Sequence, residues 1–280
     1  MRKRVYLLGA AVVAVLILGV LLAWYVFKVR LLVVGGCINR PVSEIAKLSE
    51  IKYGDNIFFL RLDEVKEKIN QNPYYEVQSV ERDLPSTIRI RVRERQPSAI
   101  LEMTNEVLII DSTGFVLEKR PNASGLELPV IKGLMVNTYQ VGERIVPDQA
   151  IQLTAMNQVL SELENQKMIA ETEEINFSSV NDILLYTRDG RPVEVGNTYN
   201  IETKIRFLRA VLEDLRSKGI YDGLINVASG NSATYSPELY SPGEIISYSE
   251  PAEPLEKEQE KEPETIVPEG GEAGSGNGTD

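Results

Sequence analysis

Val80-Glu81-Arg82-Asp83-Leu84-Pro85-Ser86-Thr87-Ile88-Arg89-Ile90-Arg91-Val92-Arg93 is the stretch on which the fold turns. Ile88, Ile90 and Val92 alternate with Arg89, Arg91 and Arg93, the period of two that puts one set of side chains in a core and the other in water. Asp83-Leu84-Pro85-Ser86 carries turn chemistry, because Pro fixes φ while Asp and Ser bond their own backbone. Residues 77–82 therefore read as the partner strand of a hairpin. The arginine row reads either as a solvated sheet face or as a surface for an acidic partner.

Upstream of the hairpin, Asn72-Pro73 stops a helix whose Leu62, Val65 and Ile69 recur at helical spacing. Gly54-Asp55-Asn56 breaks the chain before it. A shorter helix opens at Pro41 and Ser43, with Ser43 as N-cap, Glu44 in the first turn, and Ile45 and Leu48 on the apolar side. Residues 29–34 form an apolar strand closed by Gly35-Gly36. Residues 28–95 thus predict one β-α-α-β-β domain.

Before that domain lies the one long apolar run of the chain. Arg2, Lys3 and Arg4 precede an uncharged stretch over residues 5–27, long enough as a helix to span a hydrocarbon core of roughly 30 Å. About fourteen large apolar residues at around −0.3 to −0.6 kcal/mol each favour insertion by roughly 4–8 kcal/mol. A cleaved signal peptide would have a shorter apolar region ending in small residues. This run ends in Trp24, Tyr25 and Phe27, an interfacial aromatic anchor. The basic residues at positions 2–4 predict a cytoplasmic stub over residues 1–4, a single transmembrane helix over 5–27, and the rest of the chain outside the membrane.

A second module begins near Ser98. Asp111-Ser112-Thr113-Gly114 turns a hairpin between residues 107–110 and 115–117, and Val130-Ile131 adds a short strand. A helix is expected from Pro147, with Leu153, Met156, Leu160 and Leu163 as its stripe. Strands follow over 175–177, 183–187 and 193–195, the last two joined by Arg188-Asp189-Gly190-Arg191. A second helix runs over 201–218 on Ile201, Ile205, Leu208, Leu212 and Leu215, with Gly219 as its C′ residue. A last strand covers 224–228 and resumes toward Tyr235. The fold class is α+β: one N-terminal transmembrane helix, a β-α-α-β-β domain, then a mixed β domain with two helices over 96–236. From 237 to 280 the chain is rich in Pro, Glu, Gly and Ser and is expected to be disordered.

Charge and composition exclude several activities. The net charge of −11 is concentrated in residues 250–280, where ten acids face only Lys257 and Lys261. No basic domain or aromatic–basic platform for nucleic acid is present. There is no histidine, which removes the commonest general base, metal ligand and nucleophile partner. Cys37 is the one cysteine, so it has no internal disulfide and makes no metal site alone. Neither catalytic nor metal-binding residues are assigned, and no cofactor.

In order and spacing the chain resembles the FtsQ/DivIB family of bacterial cell-division proteins. The residues that carry the likeness are Val33-Val34-Gly35-Gly36, Val42-Ser43, Gly54-Asp55-Asn56-Ile57-Phe58, Asn72-Pro73, Val80-Glu81-Arg82-Asp83-Leu84-Pro85, residues 88–92 and Glu94-Arg95-Gln96-Pro97-Ser98-Ala99. It extends through Ile109-Ile110-Asp111 to Val116-Leu117 and more loosely to Tyr235. The family's Gly-Asn turn is Gly35-Gly36-Cys37 here, where Gly36 can supply the same positive φ.

The resemblance implies a POTRA domain followed by the family's β domain, and a non-enzymatic divisome scaffold at the septum of the cell membrane, linked to septal peptidoglycan synthesis. It implies FtsB/DivIC-like and FtsL-like bitopic partners, taken by strand addition at the C-terminal edge of the β domain. The matching residues are Leu224, Ile225, Asn226, Val227, Ala228, Ser229 and Tyr235. From the residues alone, this is equally an ordinary C-terminal strand with Ile225 and Val227 in the core. The rival function is a POTRA-bearing envelope assembly or translocation factor, which would usually carry several such domains and a membrane barrel; no internal repeat and no series of barrel strands is present.

Overall fold

The computed structural model describes residues 2–237, without side chains for residues 2–8, 10, 20 and 23. The acidic segment expected to be disordered lies almost wholly outside the described residues. Helix α1 (Arg2–Val26) takes in the basic residues 2–4 as well as the apolar run. Its described large apolar side chains from Val12 to Leu22 are exposed. Among the described residues no helix is long and apolar enough to cross a membrane.

The first domain follows as β1 (Leu31–Gly35), α2 (Val42–Ser49), α3 (Leu62–Asn70), β2 (Tyr75–Asp83) and β3 (Thr87–Glu94). Its sheet has the order β1-β3-β2. β1 runs parallel to β3, and β2 runs antiparallel to it. Ile88, Ile90 and Val92 are buried with Ile45, Val65, Ile69, Tyr75 and Val77 in one core, so both helices cover the face that alternation assigned to the interior. On the wet face Arg89 pairs with Asp83 at 2.8 Å and Arg93 with Glu76. Arg89 and Arg93 of the row are thus ion-paired on the solvent side of the sheet, and Arg91 is exposed between them.

Two local expectations are corrected. Ser43 does not cap α2: Pro41 holds the N-cap position in an extended conformation, with no side-chain cap. Pro at this position fixes φ and has no N–H to satisfy. Strand β1 starts later than expected, because Val29 is held by the 54–55 loop, its N–H donating to Asp55 O at 2.7 Å.

The second domain contains β4 (Ala99–Glu102), β5 (Val107–Ile110), β6 (Val116–Arg120), β7 (Val130–Lys132), β8 (Val136–Thr138), β9 (Val146–Pro147), α4 (Ala150–Asn165), β10 (Thr172–Asn176), β11 (Ile183–Thr187), β12 (Pro192–Gly196), α5 (Ile201–Ser217), β13 (Leu224–Asn226) and β14 (Thr234–Ser236). Pro147 ends a strand rather than starting the helix, which begins three residues later. Nine strands form one sheet in the order β14-β13-β12-β11-β10-β7-β4-β5-β6, and β8 pairs with β9 apart from it. Ile175, Leu185, Val193 and Ile225 on one sheet face share a core with Met156, Val159, Leu160 and Leu163 of α4 and with Ile205, Leu208, Leu212 and Leu215 of α5. The β5–β6 turn is built on Asp111, whose Oδ1 accepts from the N–H groups of Thr113 and Phe115 at 2.8 and 2.9 Å.

Candidate partner-binding edge

The nine-stranded sheet ends at β6 on one side and β14 on the other. A terminal strand offers unpaired N–H and C=O groups to an incoming strand unless something covers them. β6 is covered at its start. Val116 N–H donates to Glu143 O at 2.8 Å, and Val116 O accepts from Gly142 N–H at 2.9 Å. β14 is the last strand before the end of the described residues.

Which strand forms this edge departs from the sequence reading. The chain reverses over residues 229–232 instead of continuing as one strand to Tyr235. Gly230, at φ 72°, makes the reversal possible, its N–H donating to Val227 O at 3.0 Å. Ser229 Oγ accepts weakly from the N–H groups of Asn231 and Ser232, each at 3.4 Å. β14 then folds back antiparallel on β13, pairing Leu224 with Ser236, Ile225 with Tyr235 and Asn226 with Thr234. Gly223 lets it approach: a Cβ there would lie 2.5 Å from the Tyr235 ring and 2.7 Å from Ser236 O.

β13 is therefore an interior strand, parallel to β12 on its other side. Ile225 and Val227 are core residues. Leu224, Asn226 and Ala228 are half-buried on the opposite side, and Ser229 is an exposed turn residue. Asn226 reaches over to β12 through its Nδ2, which donates to Glu194, and its Oδ1 accepts from Ala228 N–H at 2.9 Å. Of the seven residues expected at the edge, only Tyr235 lies on the terminal strand. Thr234 and Ser236 complete it and went unassigned, although Ser229-Gly230-Asn231-Ser232 is a turn signal that marks the reversal.

The direction of the ladder identifies the exposed main-chain groups. Val227 N–H donates to Glu194 O at 2.9 Å, so the main chains of Ile225 and Val227 face β12. N–H and C=O of one residue share a side, and that side alternates along a strand. Leu224 and Asn226 therefore face β14 and bond with Ser236 and Thr234. Tyr235, opposite Ile225, points its N–H and C=O away from the sheet. Its ring stays half-buried against the second core, which fixes the strand, and among the described residues no strand pairs with the outer side of β14.

Two largely buried ionisable groups, Lys204 and Arg95, hold elements together. Lys204 is buried, which pushes its pKa down, and its Nζ donates to Val195 O at 3.0 Å and Asn197 O at 2.8 Å. It ties α5 to the end of β12. Arg95 sits between the two domains: it pairs with Asp111 at 2.9 Å and Glu76 at 3.3 Å and lies over the Phe115 ring at 3.9 Å. Among the described residues no cluster of three or more His, Cys, Asp or Glu could hold a metal ion.

Comparison with known proteins identifies both domains. Residues 27–95 match the POTRA domain, FtsQ-type. Residues 99–228 match the family Cell division protein FtsQ/DivIB, C-terminal, so β14 lies beyond the matched stretch. The cell division protein DivIB of Clostridium tetani is 29% identical over 211 residues, 75% of this chain and 79% of its own. DivIB of Clostridium acetobutylicum is 30% identical over 179 residues, 62% of this chain and 71% of its own. The cell division protein FtsQ of Geotalea daltonii is 28% identical over 198 residues, 69% of each chain.

Proposed function

Because this chain belongs to the FtsQ/DivIB family of cell-division proteins, we propose that it is a non-catalytic divisome scaffold whose β14 edge takes a strand from a bitopic division partner of the FtsB/DivIC or FtsL type. In this role it is a cell-membrane protein of the septum, with its N-terminus in the cytoplasm and both folded domains outside, linking its partners to septal peptidoglycan synthesis.

The observation that carries the reading is the outward main chain of Tyr235 on a terminal strand, set by the alternation that starts from the Val227–Glu194 bond at 2.9 Å. An added strand would gain ladder hydrogen bonds there, and its alternate side chains would meet those of Thr234 and Ser236 on β14. The anchor reading is supported by the uncharged, mostly apolar run over residues 5–27. Ile17 and Leu18, neighbours a quarter-turn apart, are 55% and 67% exposed. Uncovered large apolar side chains from Val12 to Leu22 suit hydrocarbon. Arg2, Lys3 and Arg4 favour a cytoplasmic N-terminus.

The test is a titration of the full chain, held in a lipid nanodisc, with the extracytoplasmic segment of a DivIC-type partner. Tyr235→Pro removes the outward N–H together with the ring that packs on the core, so Tyr235→Ala, which loses the ring and keeps the N–H, is the reference against which it is compared. Affinity should fall about 5- to 150-fold, the equivalent of about 1–3 kcal/mol for a lost edge bond with its partner left unpaired. Thr234→Ala, which keeps the main chain, should bind normally. Equal affinity for Tyr235→Pro and Tyr235→Ala would overturn strand addition at this edge.

A further inference from the structure

We propose that the end of the first domain next to α1 is a second membrane contact, in which Phe58, Phe59 and Leu84 rest on a bilayer surface bearing anionic headgroups. The inference rests on the reading of α1 as a bilayer anchor and adds a surface that the anchor alone does not require.

The chain leaving α1 does not act as a free tether. Phe27 O accepts from Ile57 N–H at 2.9 Å, Val29 N–H donates to Asp55 O at 2.7 Å, and Gly54 N–H donates to Val29 O at 2.9 Å. Lys28 makes a further bridge with Asn56. The loop between α2 and α3 is thereby fastened along the exit of the helix. Rings continue the contact: Trp24 meets Phe59 at 5.6 Å between centroids, and Phe27 meets Phe58 edge-on at 4.9 Å. The hairpin tip reaches the same end, because Ser86 O accepts from Arg30 N–H at 2.8 Å, which places Leu84 beside the start of β1.

These apolar side chains are left uncovered by the domain that carries them. Phe59 is 71% exposed, Phe58 53% and Leu84 54%. Ile57 beside them is fully buried in the core, yet Phe58, Phe59 and Leu84 stand on two surface turns at one end. Contiguous exposed apolar area of this kind marks an interaction surface. Its occupant follows from continuity: Phe59 touches Trp24, so with α1 in a bilayer Phe59 sits at the depth of an interfacial tryptophan. Lys28, Arg30 and Lys52 surround the same end, and Arg30 lies over the Tyr25 ring at 5.4 Å. Aromatic residues flanked by cations suit the headgroup boundary of an anionic leaflet.

The chain has a single tryptophan, Trp24, so Trp24→Phe gives a silent background for fluorescence. Into the full chain are placed, one at a time, Phe59→Trp, Leu84→Trp, Ile17→Trp and Tyr199→Trp, all at exposed positions. Each is reconstituted in phosphatidylcholine–phosphatidylglycerol bilayers brominated near the headgroup or deep in the acyl chain. Ile17→Trp should be quenched by deep bromines and Tyr199→Trp by neither. Phe59→Trp and Leu84→Trp should be quenched by the shallow bromines more than by the deep ones. If both stay as unquenched as Tyr199→Trp while Ile17→Trp is quenched, the second contact is wrong and the anchor stands. If Ile17→Trp is also unquenched, the anchor falls and this contact with it. In phosphatidylcholine alone the shallow quenching at position 59 should drop by about half as the cations lose their counter-charge; an unchanged signal would remove anionic lipid from the proposal.

Discussion

Replacing Glu94 with Ala should open the loop that leads from β1 into α2. Glu94 ends β3 and is almost wholly buried at 6% exposure. Its Oε2 accepts three successive main-chain donors, Ile38 N–H at 2.6 Å, Asn39 N–H at 3.0 Å and Arg40 N–H at 3.3 Å. Gln96 Nε2 approaches its other oxygen at 3.3 Å. Each bond to a charged acceptor is worth about 1.5–3 kcal/mol. Water can replace part of the loss, since Ile38 and Asn39 are exposed, so Glu94→Ala should cost about 2–4 kcal/mol and Glu94→Gln about 1–2 kcal/mol. The assay is urea unfolding of the full chain in detergent micelles at neutral pH, with hydrogen exchange read on residues 37–41. Burial alone would push the Glu94 carboxyl up, but the three N–H donors and the Gln96 amide outweigh it and hold it below the usual range. A depressed folded value means the stability is present above the unfolded pKa, near 4.3, and is lost as pH falls through the folded value. Glu94→Gln should therefore flatten the part of the acid loss that the wild-type chain shows below about pH 4. A change under about 0.5 kcal/mol with unaltered exchange at 38–40 would show that the carboxylate does not hold the loop.

Two further substitutions probe the frame. Gly36 sits at φ 98°, and a Cβ there would fall 1.7 Å from Val92 O; Gly36→Ala should destabilise the first domain by more than about 2 kcal/mol, read as a drop in its thermal midpoint, and a midpoint within a degree of wild type would contradict the geometry. Arg95→Met removes the ion pair to Asp111, whose two side chains are 10% and 7% exposed, and should cost about 3–5 kcal/mol while separating the calorimetric transitions of the two domains. A single, unshifted transition would mean that Arg95 does not couple them.

The first domain was legible because its elements are local and strongly patterned. Ile88, Ile90 and Val92 alternate over a full strand, and Leu62, Val65 and Ile69 keep helical spacing, so each element declares its buried face without help from distant residues. The hairpin of Arg188-Asp189-Gly190-Arg191 and the stripe of α5 were readable for the same reason. The candidate edge was not. β13 and β14 have three residues each, too short for alternation to fix a boundary. β14 owes its place to Gly223 and the Tyr235 ring, a contact between residues 12 positions apart. The order of β4, β7 and β10 was also beyond local reading, because parallel neighbours need long connections that leave no mark at the strands themselves. Ser43 shows the limit at a single residue: its type suits a cap, but Pro41 ends the extended segment two residues earlier.

The three residues of β7 have a consequence for how the chain folds. They pair in parallel with β4 on one side, Ile131 beside Leu101, and with β10 on the other, Ile131 beside Ile175. Every other junction in the nine-stranded sheet except that of β12 with β13 is an antiparallel one. The antiparallel hairpins can zip early from nearby residues, but the seam must wait for two long loops to close, and loop closure is entropically unfavourable before its contacts form. Capture of β7 between β4 and β10 is therefore expected late in assembly, and the β12–β13 junction, also parallel, waits in the same way on the α5 crossover.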